Sequence, residues 1–178
     1  MKIALISASL HPQSRSYVLA RHCSDIASAR GAEVDLIDLR SYALPLHTGT
    51  AECKTPEVSA LTERVRAAAA VVVAAPIYVY DTNAAIKNFV DLTGRAWTDK
   101  PVGFLCAAGG QSSYMAIMGL ANSLMLDFRC LIVPRFVYAT GDDFAEDRQP
   151  DMHITSDEIK ERIEQLTDAV FQLTRVLE

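Results

Sequence analysis

The sequence predicts an α/β domain of three layers, built around a doubly wound sheet of five parallel strands in the order 2-1-3-4-5. Two observations carry this expectation. Strand-like and helix-like stretches take turns along the whole chain, without repeats or low-complexity tracts, which is the pattern of successive crossovers. The run Ala69-Ala70-Val71-Val72-Val73-Ala74-Ala75 is apolar without alternation, as suits a central parallel strand covered on both faces.

The first strand is expected over residues 2–7 and the second over 34–39. Between them residues 14–30 carry apolar side chains at helical spacing and close on Gly31. A polar, Pro- and Gly-containing loop over 41–56 leads to a helix over 57–68, which feeds the third strand over 69–75, stopped by Pro76. Residues 83–94 read as an amphipathic helix with Ile86, Phe89, Val90 and Thr93 near one face. The fourth strand spans 102–107, a helix follows over 113–126, and a fifth strand over 129–137 ends irregularly around Pro134. Residues 156–177 form the closing helix, with Ser156 as N-cap.

A chain of 178 residues suits a single domain, 1–178, that buries roughly 70% of its unfolded surface. Half of the residues are hydrophobic and 22% charged, and no apolar run approaches the ~18 residues of a membrane span. The apolar start breaks off at His11, Gln13 and Arg15, so it reads as a strand rather than a signal peptide, and the protein as cytoplasmic. A net charge of -5 offers no basic footprint for DNA or RNA. Cys23, Cys53, Cys106 and Cys130 are scattered, without C-x-x-C or a nearby histidine, which argues against a metal site or a dithiol centre.

In such a sheet, ligands collect at the carboxyl ends of the strands beside the switch point between the first and third. The loop after the first strand, residues 7–16, holds Ser7, Ser9, Ser14, Ser16, Arg15 and His11 directly before a helix. Short hydroxyls and a guanidinium beside free helix N–H groups form a phosphate cradle, in which His11 is the weakest member. The loop after the third strand, Pro76-Ile77-Tyr78-Val79-Tyr80-Asp81, sets aromatic and apolar groups at the sheet edge, a ledge for a flat ring system. After the fourth strand, Gly109, Gly110 and Gln111 let the backbone approach such a ring closely. The acidic cluster of Asp142, Asp143, Glu146, Asp147 and Asp151 reads as a solvated loop. The chain has no G-x-G-x-x-G after its first strand, no P-loop and no G-x-S-x-G, which argues against dinucleotide-fold dehydrogenases, P-loop NTPases and serine hydrolases.

Ser9 followed by Ser14-Arg15-Ser16, then Pro76-Ile77-Tyr78 with Lys87-Asn88, then Gly109-Gly110, resemble the NAD(P)H-dependent FMN reductase family of flavodoxin-like proteins, and within it the branch that supplies alkanesulfonate monooxygenases. The resemblance implies FMN as cofactor and NADPH or NADH as donor, with hydride passing to the flavin N5 and on to an acceptor. It places the FMN phosphate on Ser9, Ser14, Arg15 and Ser16, and the flavin ring on Pro76, Ile77, Tyr78, Val79, Gly109 and Gly110. Ala8 and His11 depart from the glycine and arginine often found there. No side chain is expected to act as a general acid or base. The acceptor is a small molecule, such as free FMN, a quinone or an azo dye, or the reduced flavin serves a flavin-dependent monooxygenase. A flavodoxin-like electron carrier without reductase activity is the alternative. The family also implies a homodimer or homotetramer, with Tyr80, Trp97 and Tyr114 as candidates for the subunit contact.

Overall fold

The computed structural model describes residues 1–177. Along the chain run β1 (Lys2–Ser7), α1 (Arg15–Ala29), β2 (Glu33–Asp38), α2 (Pro56–Ala67), β3 (Ala70–Tyr78), β4 (Asp81–Thr82), α3 (Ala84–Thr93), β5 (Pro101–Ala107), α4 (Met118–Phe128), β6 (Leu131–Ile132), β7 (Val137–Ala139), β8 (Phe144–Ala145), β9 (His153–Ile154) and α5 (Asp157–Leu177). The main sheet is parallel in the order β2-β1-β3-β5, and β6 and β7 share the far edge of β5. The expected strands occur in the expected order, and the fold is flavodoxin-like.

Side-chain alternation sorts the sheet into two cores. Ala4, Ile6, Val71, Val73, Phe104 and Cys106 face α2, α3 and α4, whereas Ile3, Leu5, Ala70, Val72 and Leu105 face α1 and α5. Ser14 caps α1 by accepting the Tyr17 N–H at 3.0 Å, and Ser156 caps α5 by accepting the Ile159 N–H at 3.3 Å.

Several sequence expectations give way. Pro76 does not stop the third strand, which runs on to Tyr78. The Ala74 carbonyl faces β1 and accepts the Ala8 N–H at 2.8 Å, and Pro76, two residues on, faces the same side after β1 has ended. Its missing N–H therefore breaks no bond to β1, and its carbonyl accepts the Asn83 N–H at 3.2 Å. The fifth strand splits around Pro134 into β6 and β7 and continues to Ala139, beyond the expected end. The fourth helix starts at Met118 rather than 113, after a 3-10 turn at Gln111–Ser113. The hairpin strand β4 and the separate β8–β9 pair have no counterpart in the expected scheme. Trp97 is no subunit contact: its ring is fully buried beside Phe89, and its Nε1 donates to Thr93 Oγ1 at 2.7 Å.

Arg64 on α2 grips Asp35 on β2, with Nη2 donating at 2.5 Å and Nε at 3.1 Å to the carboxylate. These hydrogen bonds hold the Asp35 carboxyl below its usual range, against the opposing effect of burial. A carboxyl lowered in the folded state adds stability at pH values above its unfolded value of about 4, and that stability is lost as pH falls through the folded value. Asp35→Asn is expected to cost about 1 kcal/mol at neutral pH. It should also lessen the loss of stability between about pH 7 and about pH 3, as read from denaturation midpoints.

Candidate functional site

At the carboxyl ends of β1, β3 and β5 lies a cleft of about 340 Å³ lined by Ser9, Arg15, Ser16, residues 76–79, residues 107–109 and Arg148. This is the size of a small-molecule site, placed at the switch point of the sheet. Asn83 braces it by donating from Nδ2 to the Ala8 carbonyl at 2.7 Å, which ties the loop after β3 to the loop after β1.

The end beside α1 gathers hydrogen-bond donors that nothing in the described residues uses. The Arg15 and Ser16 N–H groups lie in the first helical turn and have no intrahelical acceptor. Ser16 is 1% exposed, and its Oγ finds no hydrogen-bond partner among the described residues. A buried hydroxyl without a partner carries a desolvation cost that a phosphate oxygen would remove. Ser9 Oγ accepts the His11 N–H at 3.2 Å and keeps its own proton to donate.

Arg15 is deployed differently from expectation. Its Nε and Nη2 donate to the two carboxylate oxygens of Asp147 at 2.7 and 2.5 Å, and its Nη1 donates to the Ala108 carbonyl at 3.0 Å. The guanidinium lies so close to Gly141 that a Cβ there would stand 2.7 Å from Nη2. The hydrogen bonds from Arg15 hold the Asp147 carboxyl below its usual range. The acidic segment is thus not merely a solvated loop. It is a strap, joined to the first loop by Asp147 and by Arg148, whose Nη1 donates to the Gln13 carbonyl at 2.7 Å.

The opposite wall is apolar. Pro76, Ile77, Tyr78 and Val79 form the ledge, and Gly109 faces them from the end of β5. A Cβ on Gly109 would meet nothing within 4 Å. Tyr138 on β7 holds this glycine loop by donating its hydroxyl to the Gly110 carbonyl at 2.6 Å. Val79 and Tyr80 turn the β3–β4 hairpin with φ of 51° and 59°, a left-handed pair that costs a β-branched residue strain.

Eight expected residues therefore line one cleft: Ser9, Arg15, Ser16, Pro76, Ile77, Tyr78, Val79 and Gly109. His11 stands outside it, exposed, its Nδ1 accepting the Gln13 N–H at 3.0 Å. Ser14 is occupied as the α1 cap, Asp81 is exposed with Oδ1 accepting the Thr82 N–H, and Gly110 and Gln111 are exposed beyond the rim. A larger groove of about 530 Å³ follows the outer face of α1 but takes in only Ser14 of the expected set. Among the described residues no cluster suited to a metal ion occurs, and no helix is long and apolar enough to cross a membrane.

Residues 1–145 match the family of NADPH-dependent FMN reductases. The chain belongs to that family. It is 30% identical over 167 residues to the NADH-dependent FMN reductase SfnF of Pseudomonas fluorescens, covering 92% of this chain and 86% of that protein. It is 27% identical over 166 residues to an FMN reductase (NADPH) of Pseudomonas aeruginosa, covering 91% and 86%. An oxidoreductase from Corynebacterium diphtheriae superposes with a TM-score of 0.81 at 26% identity, covering 99% of this chain and 97% of the other. The chain is an NAD(P)H-dependent FMN reductase, an oxidoreductase that works with FMN.

Sequence reasoning missed Arg148, Ala107 and Ala108 in the cleft wall, and Tyr138 behind the glycine loop. Arg148 carried a signal, since it is the arginine set among the acids of the strap. The strain at Val79 yields a test on the reductase. Val79→Asn, which tolerates the left-handed region without glycine's entropy, is expected to raise stability by about 1 kcal/mol in chemical denaturation.

Proposed function

We propose that residues 1–178 act as one FMN-binding domain in the cytoplasm, with the flavin phosphate at the N-terminus of α1 and the ring between the 76–79 ledge and Gly109. The observation that carries this reading is the unpartnered, buried Ser16 Oγ at the anion end of a cleft whose other end is an open apolar shelf. When bound, FMN supplies the redox chemistry, taking hydride from NAD(P)H and passing electrons to an acceptor. The chain itself binds, orients and shields. Ser9, Ser16 and the free N–H groups hold the phosphate, and the ledge excludes water from one ring face. Asn83 and Tyr138 keep the two flanking loops in place. The acceptor is free FMN, a quinone or an azo dye, or the flavin serves a flavin-dependent monooxygenase.

The rim supports self-association. Tyr78, Val79, Tyr80, Tyr114, Met115 and Met118 expose apolar surface beside the cleft. The hairpin and the start of α4 adjoin, since a Cβ on Gly119 would stand 3.7 Å from Asp81 Oδ1. We place the contact of a homodimer or homotetramer here.

The visible spectrum of the purified protein with FMN, followed by anaerobic addition of NADH or NADPH, tests the reading. Flavin bands that bleach within a turnover support it, and the faster donor reveals the preference, which differs between the two Pseudomonas relatives. Bleaching with a chemical reductant alone would indicate a carrier. Gly109→Val is expected to leave stability within about 0.5 kcal/mol, because its bulk enters open space. The same change should weaken FMN binding about tenfold or more, read by fluorescence titration.

A further inference from the structure

The cation that sequence reasoning assigns to the phosphate is already spent. Arg15 gives Nε and Nη2 to Asp147, whose carboxylate cancels its charge, and gives Nη1 to the Ala108 carbonyl. Contact with Gly141 confines it further. For Arg15 to turn toward a phosphate it would have to leave Asp147 unpaired.

Arg148 lines the same cleft, together with Ser9 and Ser16. Its Nη1 is held by an uncharged acceptor, the Gln13 carbonyl at 2.7 Å, and its Nε makes only a long ion pair with Asp147 at 3.9 Å, against the 2.5 Å pair of Arg15. Its backbone sits in the left-handed region at φ 62°, two residues after Glu146 at φ 50°. Strained non-glycine residues persist where the surroundings hold them, and here the Arg15–Asp147 pair anchors the turn that carries Arg148. An arginine only loosely paired, lining the same cleft as a buried hydroxyl without a partner among the described residues, is suited to a phosphate dianion.

We propose that Arg148 supplies the counter-charge for the flavin phosphate, and that Arg15 and Asp147 serve as the anchor that positions it. This rests on the FMN reading and adds which residue makes the site prefer a phosphorylated flavin. Riboflavin has the same ring without the phosphate, so it separates the two claims.

FMN and riboflavin are titrated separately into the full-length protein, with and without added salt. Arg148→Gln is expected to weaken FMN about 10- to 100-fold while leaving riboflavin unchanged, so that the preference for the phosphorylated form collapses. It should also reduce the sensitivity of FMN binding to salt, and Arg148→Lys should restore part of both. The paired replacement Arg15→Gln with Asp147→Asn, which leaves neither charge alone, is expected to lower the preference less than Arg148→Gln does. The proposal is overturned if Arg148→Gln keeps the FMN-over-riboflavin preference while the paired replacement abolishes it. It is equally overturned if Arg148→Gln weakens both flavins alike, since the role is then structural. Wild-type protein that binds neither flavin would remove the FMN reading itself.

Discussion

The cleft depends on β3 outlasting β1. The two strands pair up to Ser7 against Ala74, and β3 then continues through residues 75–78, with β5 beside it as far as Pro76 and the β4 return taking the place of β1 beside residues 76–78. A strand advancing past its neighbour leaves a step in the sheet, and the step is where a ligand can touch backbone from two loops at once. Pro76 suits this place because β1 has ended on the side it faces and the bond made there, from the Asn83 N–H, uses its carbonyl rather than an N–H. The β4 hairpin return and the Asn83 bond to the Ala8 carbonyl then lock the two sides of the step together.

Charge is handled locally. Asp147 meets Arg15, Asp35 meets Arg64 and Asp38 meets Arg40, each pair joining two segments of chain or closing one turn. Burial pushes the Cys23 and Cys130 thiols up to about 11 and the Cys106 thiol to about 12, so all three stay protonated at neutral pH. They behave as small core side chains, and the redox chemistry of the family is left to the flavin.

The sheet was legible because its signals are local. The unbroken apolar run of β3, the caps at Ser14 and Ser156 and the glycine after α1 act within a few residues of themselves. The two walls of the cleft were legible for the same reason, since each is a contiguous loop at a strand end. What escaped notice depends on pairs distant in sequence. Arg15 and Asp147 are 132 positions apart, and nothing in either neighbourhood announces the other. The acids of the strap therefore looked like surface, and Arg15 looked free. Trp97 was misplaced because a large aromatic reads equally as interface or core until Thr93 is seen to satisfy its indole N–H.

One layer of the molecule joins α1 to α5. Leu19, Ala20 and Cys23 of α1 share a core with Ile163, Leu166 and Val170 of α5, and Cys23 meets Thr167 across that layer. During synthesis, α1 can pack on the early strands, but the part of its apolar face that meets α5 stays bare until α5 has followed. The strap lies directly ahead of α5, so one stretch of chain both covers that face and supplies Arg148 to the cleft. A chain shortened before this stretch would present apolar surface beside an unfinished cleft, so the packing of that layer and the shaping of the cleft go together.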